Sequence, residues 1–242
     1  MNKYFKFVTI FVCCLSATLL TESRYKYVEN SDTLVVLIHG IGDSPRAMWK
    51  IEKNLLKLNY SILNYEYAST KDPMDSIIRL LTKEINMHIS KFKKIQFVAH
   101  SLGNFVVRGY LDQYQNKKFS NIVFIAPPGK GSILAERFEN FKPFKWIFGE
   151  TGLKLGKGHD DYWRKYPAPY LPFGIIAGGA NTKHGFNPLV PGDDDGTVGV
   201  QETIIEGYTD YILIHGLHST LLWQNEVIDQ IVHFLQNSKF EK

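Results

Sequence analysis

The chain has 242 residues, of which 44% are hydrophobic and 21% charged, enough for one domain with a sizeable core. A net charge of +4 without any run of lysine and arginine gives no case for nucleic-acid binding. There is no zinc-type cysteine spacing and no H-E-x-x-H pattern, so neither a metal nor a cofactor is expected.

The N-terminal residues differ from the rest. The basic start "MNKYFK" leads into an uncharged apolar stretch from Phe7 to Thr21. That is short for a membrane-spanning helix and suits a secretory signal, with a small-residue cleavage site near Ser23. Residues 1–23 are therefore expected to be a signal peptide, and 24–242 a periplasmic or secreted domain. The alternative is an uncleaved N-terminal membrane anchor. Cys13 and Cys14 both lie in this stretch, so the mature chain would carry no thiol, in keeping with export.

From Thr33 onward apolar runs alternate with helical patterns. "TLVVLIHG" (33–40) reads as a strand buried on both faces. A helix is expected over 44–59, after the cap-like Ser44 and Pro45, with Met48, Ile51, Leu55 and Leu58 inward. A strand at 60–67 precedes a long amphipathic helix at 72–92, whose inner face is read as Ile77, Leu80, Leu81, Ile85 and Ile89. Next come a strand at 95–100 and a helix at 101–114. Strands at 121–128, 173–179 and 210–216 follow, and a helix at 220–236 closes the chain. Continuous apolar strands separated by helices imply an α/β fold with a mostly parallel, doubly wound sheet.

Residues 129–173 interrupt this rhythm. They hold ten aromatic residues, with eight Lys/Arg against five Asp/Glu. The segment is read as a cap over the carboxyl ends of the strands. In one reading the aromatics pack this cap onto the sheet and the lysines solvate its outside; in the other Phe138, Phe141, Phe144 and Trp146 line an acyl cleft, with Lys142 and Lys145 allowing peripheral contact with an anionic membrane surface.

The chemistry starts at "VAHSLGN" (98–104). A strand-to-helix turn that presents a side chain at its tip needs small residues two before and two after it, here Ala99 and Gly103 around Ser101. A helix N-cap serine is the plainer reading of Ser101, and the two are compatible. A serine hydroxyl becomes nucleophilic only when a base takes its proton and a carboxylate orients that base. Loops at the carboxyl ends of later strands supply both, in "PGDDDGTVGV" (191–200) and "LHSTLL" (217–222). Asp195 is favoured over Asp193 and Asp194 because the Gly196 turn and the Thr197–Val198 pair follow it. His218 is favoured over His215, which still belongs to a strand. "HGIG" (39–42) stands where such folds donate a backbone N–H, so Ile41 and Leu102 are the expected oxyanion donors, and Gly40 allows close approach. His39, Gly40 and His100 are expected to border the substrate; His39 is read as structural rather than catalytic.

Together these features resemble the α/β-hydrolase superfamily, and within it the small bacterial lipase/esterase-like serine hydrolases. The resemblance runs from about Leu34 to Phe234 through "LIHGIGDSPRAM", "VAHSLGNFVVR", "PGDDDGTVGVQET" and "LHSTLL". It departs from the usual pattern at Ala99, where Gly is more common, and at Asp194, where Asn is common. It implies Ser101 as nucleophile, Asp195 as acid and His218 as base in the hydrolysis of a small-molecule or lipid carboxylic ester, without metal or cofactor. An acyltransferase or thioesterase would use the same residues. A non-catalytic envelope binding protein on the same fold is the reading from another class.

Overall fold

The computed structural model describes residues 23–156, 158 and 160–242. The expected signal segment, with Cys13 and Cys14, lies outside the described residues apart from Ser23. Seven strands form one sheet in the order β1-β3-β2-β4-β5-β6-β7: β1 (Arg24–Lys26), β2 (Thr33–Ile38), β3 (Ser61–Tyr65), β4 (Lys94–His100), β5 (Phe119–Ile125), β6 (Phe173–Gly179) and β7 (Asp210–His215). All neighbours pair parallel except β1, which runs antiparallel to β3 at the edge. This is the α/β-hydrolase architecture. Among the described residues no helix is long and apolar enough to cross a membrane.

Side chains of β2 alternate between two apolar cores. Leu34, Val36 and Ile38 join one, with Ile77, Leu81, Phe105 and Tyr110. Val35 and Leu37 join the other, with Ile51, Leu55, Ile231 and Phe234. Helices α2 (Met74–His88) and α3 (Gly103–Gln113) cover the first face, and α1 (Trp49–Lys57) and α7 (Asn225–Asn237) the second. Burial on both sides is why this strand reads as an unbroken apolar run. Each such side chain removed from water contributes about 1.5–3 kcal/mol.

Several expected elements differ in detail. The helix expected at 44–59 opens as a 3-10 turn, Pro45–Met48, before α1 begins; the one expected at 220–236 opens the same way, over Thr220–Trp223. Leu58 lies beyond the end of α1 and is exposed. Leu80 is also exposed, and Ile78 takes its place in the core. At 100° per residue Ile77, Ile78, Leu81 and Ile85 share one stripe, and Leu80 falls well outside it. Strand β1, "RYK", is too short and polar to register as a strand in the sequence, yet it pairs with β3.

Among the described residues three α-helices stand between β5 and β6: α4 (Ile133–Phe138), α5 (Lys142–Lys154) and α6 (Asp160–Arg164). Helix α5 is broken at Gly149, whose φ of 63° and ψ of −165° lie outside the helical region. A buried arginine ties this excursion to the sheet domain. Arg108, on α3, donates to the carbonyls of Gly129, Tyr166 and Pro167, and its guanidinium lies 5.0 Å from the centre of the Phe105 ring.

Candidate active site

Strands β2 and β4 are neighbours, but the chain leaves β2 for β3 on one side and returns to β4 on the other. Doubly wound sheets open a crevice at such a reversal, outside the carboxyl ends of the strands. The Gly40–Gly42 turn follows β2 and Ser101 follows β4, so both arrive at this crevice.

Ser101 has φ +50°, a left-handed conformation that costs a non-glycine residue energy and turns the chain sharply from β4 into α3. The turn is over-determined by its neighbours. The Ser101 N–H donates to the Ile125 carbonyl at 3.0 Å. Asn104 Nδ2 donates to the Ser101 carbonyl at 2.8 Å and is itself held by Arg108, whose Nη1 donates to Asn104 Oδ1 at 3.1 Å. Gly103 lets α3 press onto the end of β2: a Cβ there would lie 2.8 Å from the Ile38 carbonyl oxygen and 2.9 Å from that of His39. A Cβ on Gly40 would lie 3.0 Å from His100 Nδ1 and 3.1 Å from Ser101 Cβ, so a larger residue would crowd the serine.

The loops after β6 and β7 bring an acid to a histidine. Asp195 Oδ2 and His218 Nδ1 are 2.7 Å apart. Asp195 Oδ1 accepts the N–H groups of Thr197 at 3.0 Å and Val198 at 2.7 Å, so the tight turn anchors one oxygen and leaves the other to the imidazole. The His218 N–H also donates to the Asp195 carbonyl at 2.9 Å. Burial works to lower the His218 pKa, but the charge and hydrogen bond of Asp195, helped by Asp43, outweigh it, and the net direction is upward.

Ser101, His218 and Asp195 line one cavity of about 360 Å³ together with Gly40, Ile41, Asp43 and His100. Its apolar wall comes from Leu134, Ala135, Phe144, Phe148 and Leu155 of the helical excursion, with Val198 and Leu217. The backbone N–H groups of Ile41 and Leu102 are not taken up by any described residue, which leaves both free for an anionic oxygen.

Other expected residues fall elsewhere. Phe138, Phe141 and Trp146 do not line the cavity. Trp146 is 86% exposed, while Phe138 and Phe141 pack on one another with ring centres 6.1 Å apart. Phe144 and Phe148 share a helix face because they are four residues apart; Trp146, two residues from each, lies on the far side. Lys145 pairs with Glu150 at 2.9 Å on the exposed surface, so its charge is locally neutralised. His39 is fully buried and outside the cavity, stacked on Tyr67 with ring centres 4.2 Å apart. Burial takes its pKa down to about 4, against the upward pull of the Gly40 carbonyl. His100, by contrast, lines the cavity as expected; it is buried and held neutral, with its Nε2 3.2 Å from the His218 carbonyl. His215 ends β7 outside the cavity, against Phe186. Asp194 is not a solvated turn residue: it is fully buried and accepts the N–H groups of Asn187 and Gly196.

Three contributors have weak sequence signals. Asp43, in "HGIGD", closes the glycine turn, and its one signal is that it directly follows the "HGIG" stretch. Asn104 and Arg108 are one helical turn apart on α3, a spacing that permits contact without revealing it.

A model of the family described as "Putative serine esterase (DUF676)" matches residues 28–147. No curated protein matches the chain in sequence. Among solved structures the chain is similar to the mature form of the Bacillus licheniformis lipase BlEst2, with 16% identity and a TM-score of 0.67 over 89% of this chain and 95% of that one. It is similar to phospholipase PlaB from Legionella pneumophila, with 16% identity and a TM-score of 0.65 over 86% of this chain and 60% of that one. A structure reported among carboxylesterases of the thaumarchaeon Nitrososphaera gargenis aligns over 89% of this chain and 94% of its own, with 16% identity and a TM-score of 0.57.

Proposed function

We propose that the chain, which shares the α/β-hydrolase fold of these structures and matches the putative serine esterase model over residues 28–147, is a serine hydrolase acting on carboxylic esters. The observation that carries this reading is the 2.7 Å contact between Asp195 and His218 in the cavity that Ser101 also lines. In the proposed reaction His218 Nε2 takes the Ser101 proton as Oγ attacks the ester carbon. The negative charge that develops on the carbonyl oxygen goes to the Ile41 and Leu102 N–H groups. The imidazolium, balanced by Asp195, then gives its proton to the departing alcohol and leaves an acyl-serine. Water, deprotonated by the same imidazole, releases the carboxylic acid and restores the serine.

A cavity of about 360 Å³ walled by Leu134, Phe144, Phe148 and Leu155 is at the small end for ligand sites. It favours one short acyl chain over a multi-chain lipid enclosed whole. Hydrolysis of p-nitrophenyl esters of graded chain length is the test. Turnover of the short esters should fall by on the order of 10⁴ to 10⁶ in Ser101→Ala and in His218→Ala, and the double variant should be little worse than either. Turnover that survives Ser101→Ala would sink the reading.

We also propose that the apolar N-terminal segment directs export. The sheet domain begins at once after the expected cleavage site, with β1 starting at Arg24. Mass spectrometry of the native chain should find an N-terminus near Arg24, and an intact Met1 would favour an anchor instead.

A further inference from the structure

The turn after β2 ends in Asp43, a carboxylate for which the proposed reaction has no use. The Gly40 carbonyl accepts the Asp43 N–H at 3.4 Å, and the Ser69 hydroxyl accepts the Gly42 N–H at 2.9 Å. The turn is thereby fixed, and Asp43 lines the same cavity as Ser101 and His218. Its carboxylate forms no ion pair and accepts no hydrogen bond among the described residues. No lysine or arginine is among the residues that line the cavity. The wall therefore presents an acid without presenting a cation.

The surroundings of this acid are partly aromatic. A Cβ built on Gly42 would lie 3.9 Å from Cε1 of Phe148, so that ring reaches the same turn. Burial raises the Asp43 carboxyl to about 6, partly offset by His218, and Asp43 in turn helps to hold the His218 pKa up. Asp43 and His218 line the same cavity, and His218 is the group that hands a proton to the departing alcohol. A half-buried carboxylate next to an aromatic ring suits an ammonium group, which relieves the unpaired charge and gains from the ring.

We propose that Asp43 is a specificity-determining residue that receives a positive charge on the alcohol portion of the substrate, so that acyl esters of amino alcohols are favoured over uncharged esters of the same shape. The proposal rests on the hydrolase reading for its turnover, though not for its binding. It assigns a substrate class from the charge of the cavity wall. Esters with an anionic alcohol portion are expected to be the poorest.

Two measurements on the full chain test it. The first compares kcat/KM for a short-chain choline ester with that for the 3,3-dimethylbutyl ester of the same acid, its uncharged isostere. The wild-type chain should favour the choline ester at least tenfold, Asp43→Asn should bring the ratio within twofold of one, and Asp43→Glu should retain a preference. A wild-type ratio near one, or a ratio that survives Asp43→Asn, overturns the proposal. The second measures choline binding to the Ser101→Ala protein by calorimetry. Adding Asp43→Asn should weaken it at least tenfold, and unchanged binding overturns the proposal. If Ser101→Ala still hydrolyses both esters, the nucleophile assignment fails while the binding measurement still decides on Asp43.

Discussion

Asp195 divides its two oxygens between two tasks: Oδ1 accepts the Thr197 and Val198 N–H groups, and Oδ2 meets His218. Its neighbour Asp194 is equally buried, but Asn187 and Gly196 donate to it. One carboxylate meets the imidazole, and the other accepts N–H groups from Asn187 and Gly196. The same Asp→Asn change should therefore read out differently at the two positions. Asp195→Asn puts an amide where either the two N–H donors or the imidazole N–H needs an acceptor, and should lower kcat by on the order of 10³ to 10⁴. Asp194→Asn replaces one of two buried acceptor oxygens with an N–H donor that faces backbone N–H donors, and should cost about 1–3 kcal/mol of stability in urea unfolding. A large kcat loss in Asp194→Asn without loss of stability would reverse the two assignments. Three consecutive aspartates look alike in a sequence. Gly196 and the Thr197–Val198 pair identified the anchored one, but the burial of Asp194 depends on a loop that returns over it from earlier in the chain.

At the scale of elements, the strands that build the site were legible because β2 and β4 are buried on both faces and, between their first and last residues, carry no polar residue apart from Gln96. The abrupt passage from β4 to α3 was legible for a steric reason. Only a residue without Cβ fits at Gly103, where α3 meets the Ile38 and His39 carbonyls. Gly103→Ala should push α3 away from β2, costing about 1–3 kcal/mol, and should also lower kcat because Ser101 and the Leu102 N–H move with the helix. Unchanged kcat and unchanged stability would show that the turn is less tightly held than the packing indicates. The helices between β5 and β6 were harder to read. Aromatic content suggests a covering segment, but aromatics occur on opposite sides of α5, and the break at Gly149 redirects the last turn of that helix. Which rings face the cavity depends on packing against the Gly40–Gly42 turn, and single-sequence periodicity carries no record of that contact.

For the molecule as a whole, two fully buried histidines link stability to acid. His39 is held down to about 4 and His100 well below its ordinary value, in both cases chiefly by burial. Between about pH 4 and 6.5 the unfolded chain binds protons that the folded chain does not, so stability is full above 6.5 and is lost as the pH falls. For His39 alone, going from pH 7 to pH 5 should cost about 2 kcal/mol. His39→Phe, which keeps a ring against Tyr67 but cannot take a proton, should reduce the pH 7 to pH 5 difference in urea unfolding by about that amount. An unchanged difference would mean that His39 takes up a proton in the folded chain as readily as in the unfolded one. The acid-sensitive element is the floor beneath the Gly40–Gly42 turn, so loss of activity and loss of stability should run together on acidification. The central claim, that Ser101 is the activated nucleophile of this cavity, is met most directly by treating the wild-type chain with a fluorophosphonate and locating the adduct by peptide mass spectrometry. A single phosphonyl group on Ser101, absent in the His218→Ala chain, is the expected result; an unlabelled Ser101, or a label on another residue, would contradict the account.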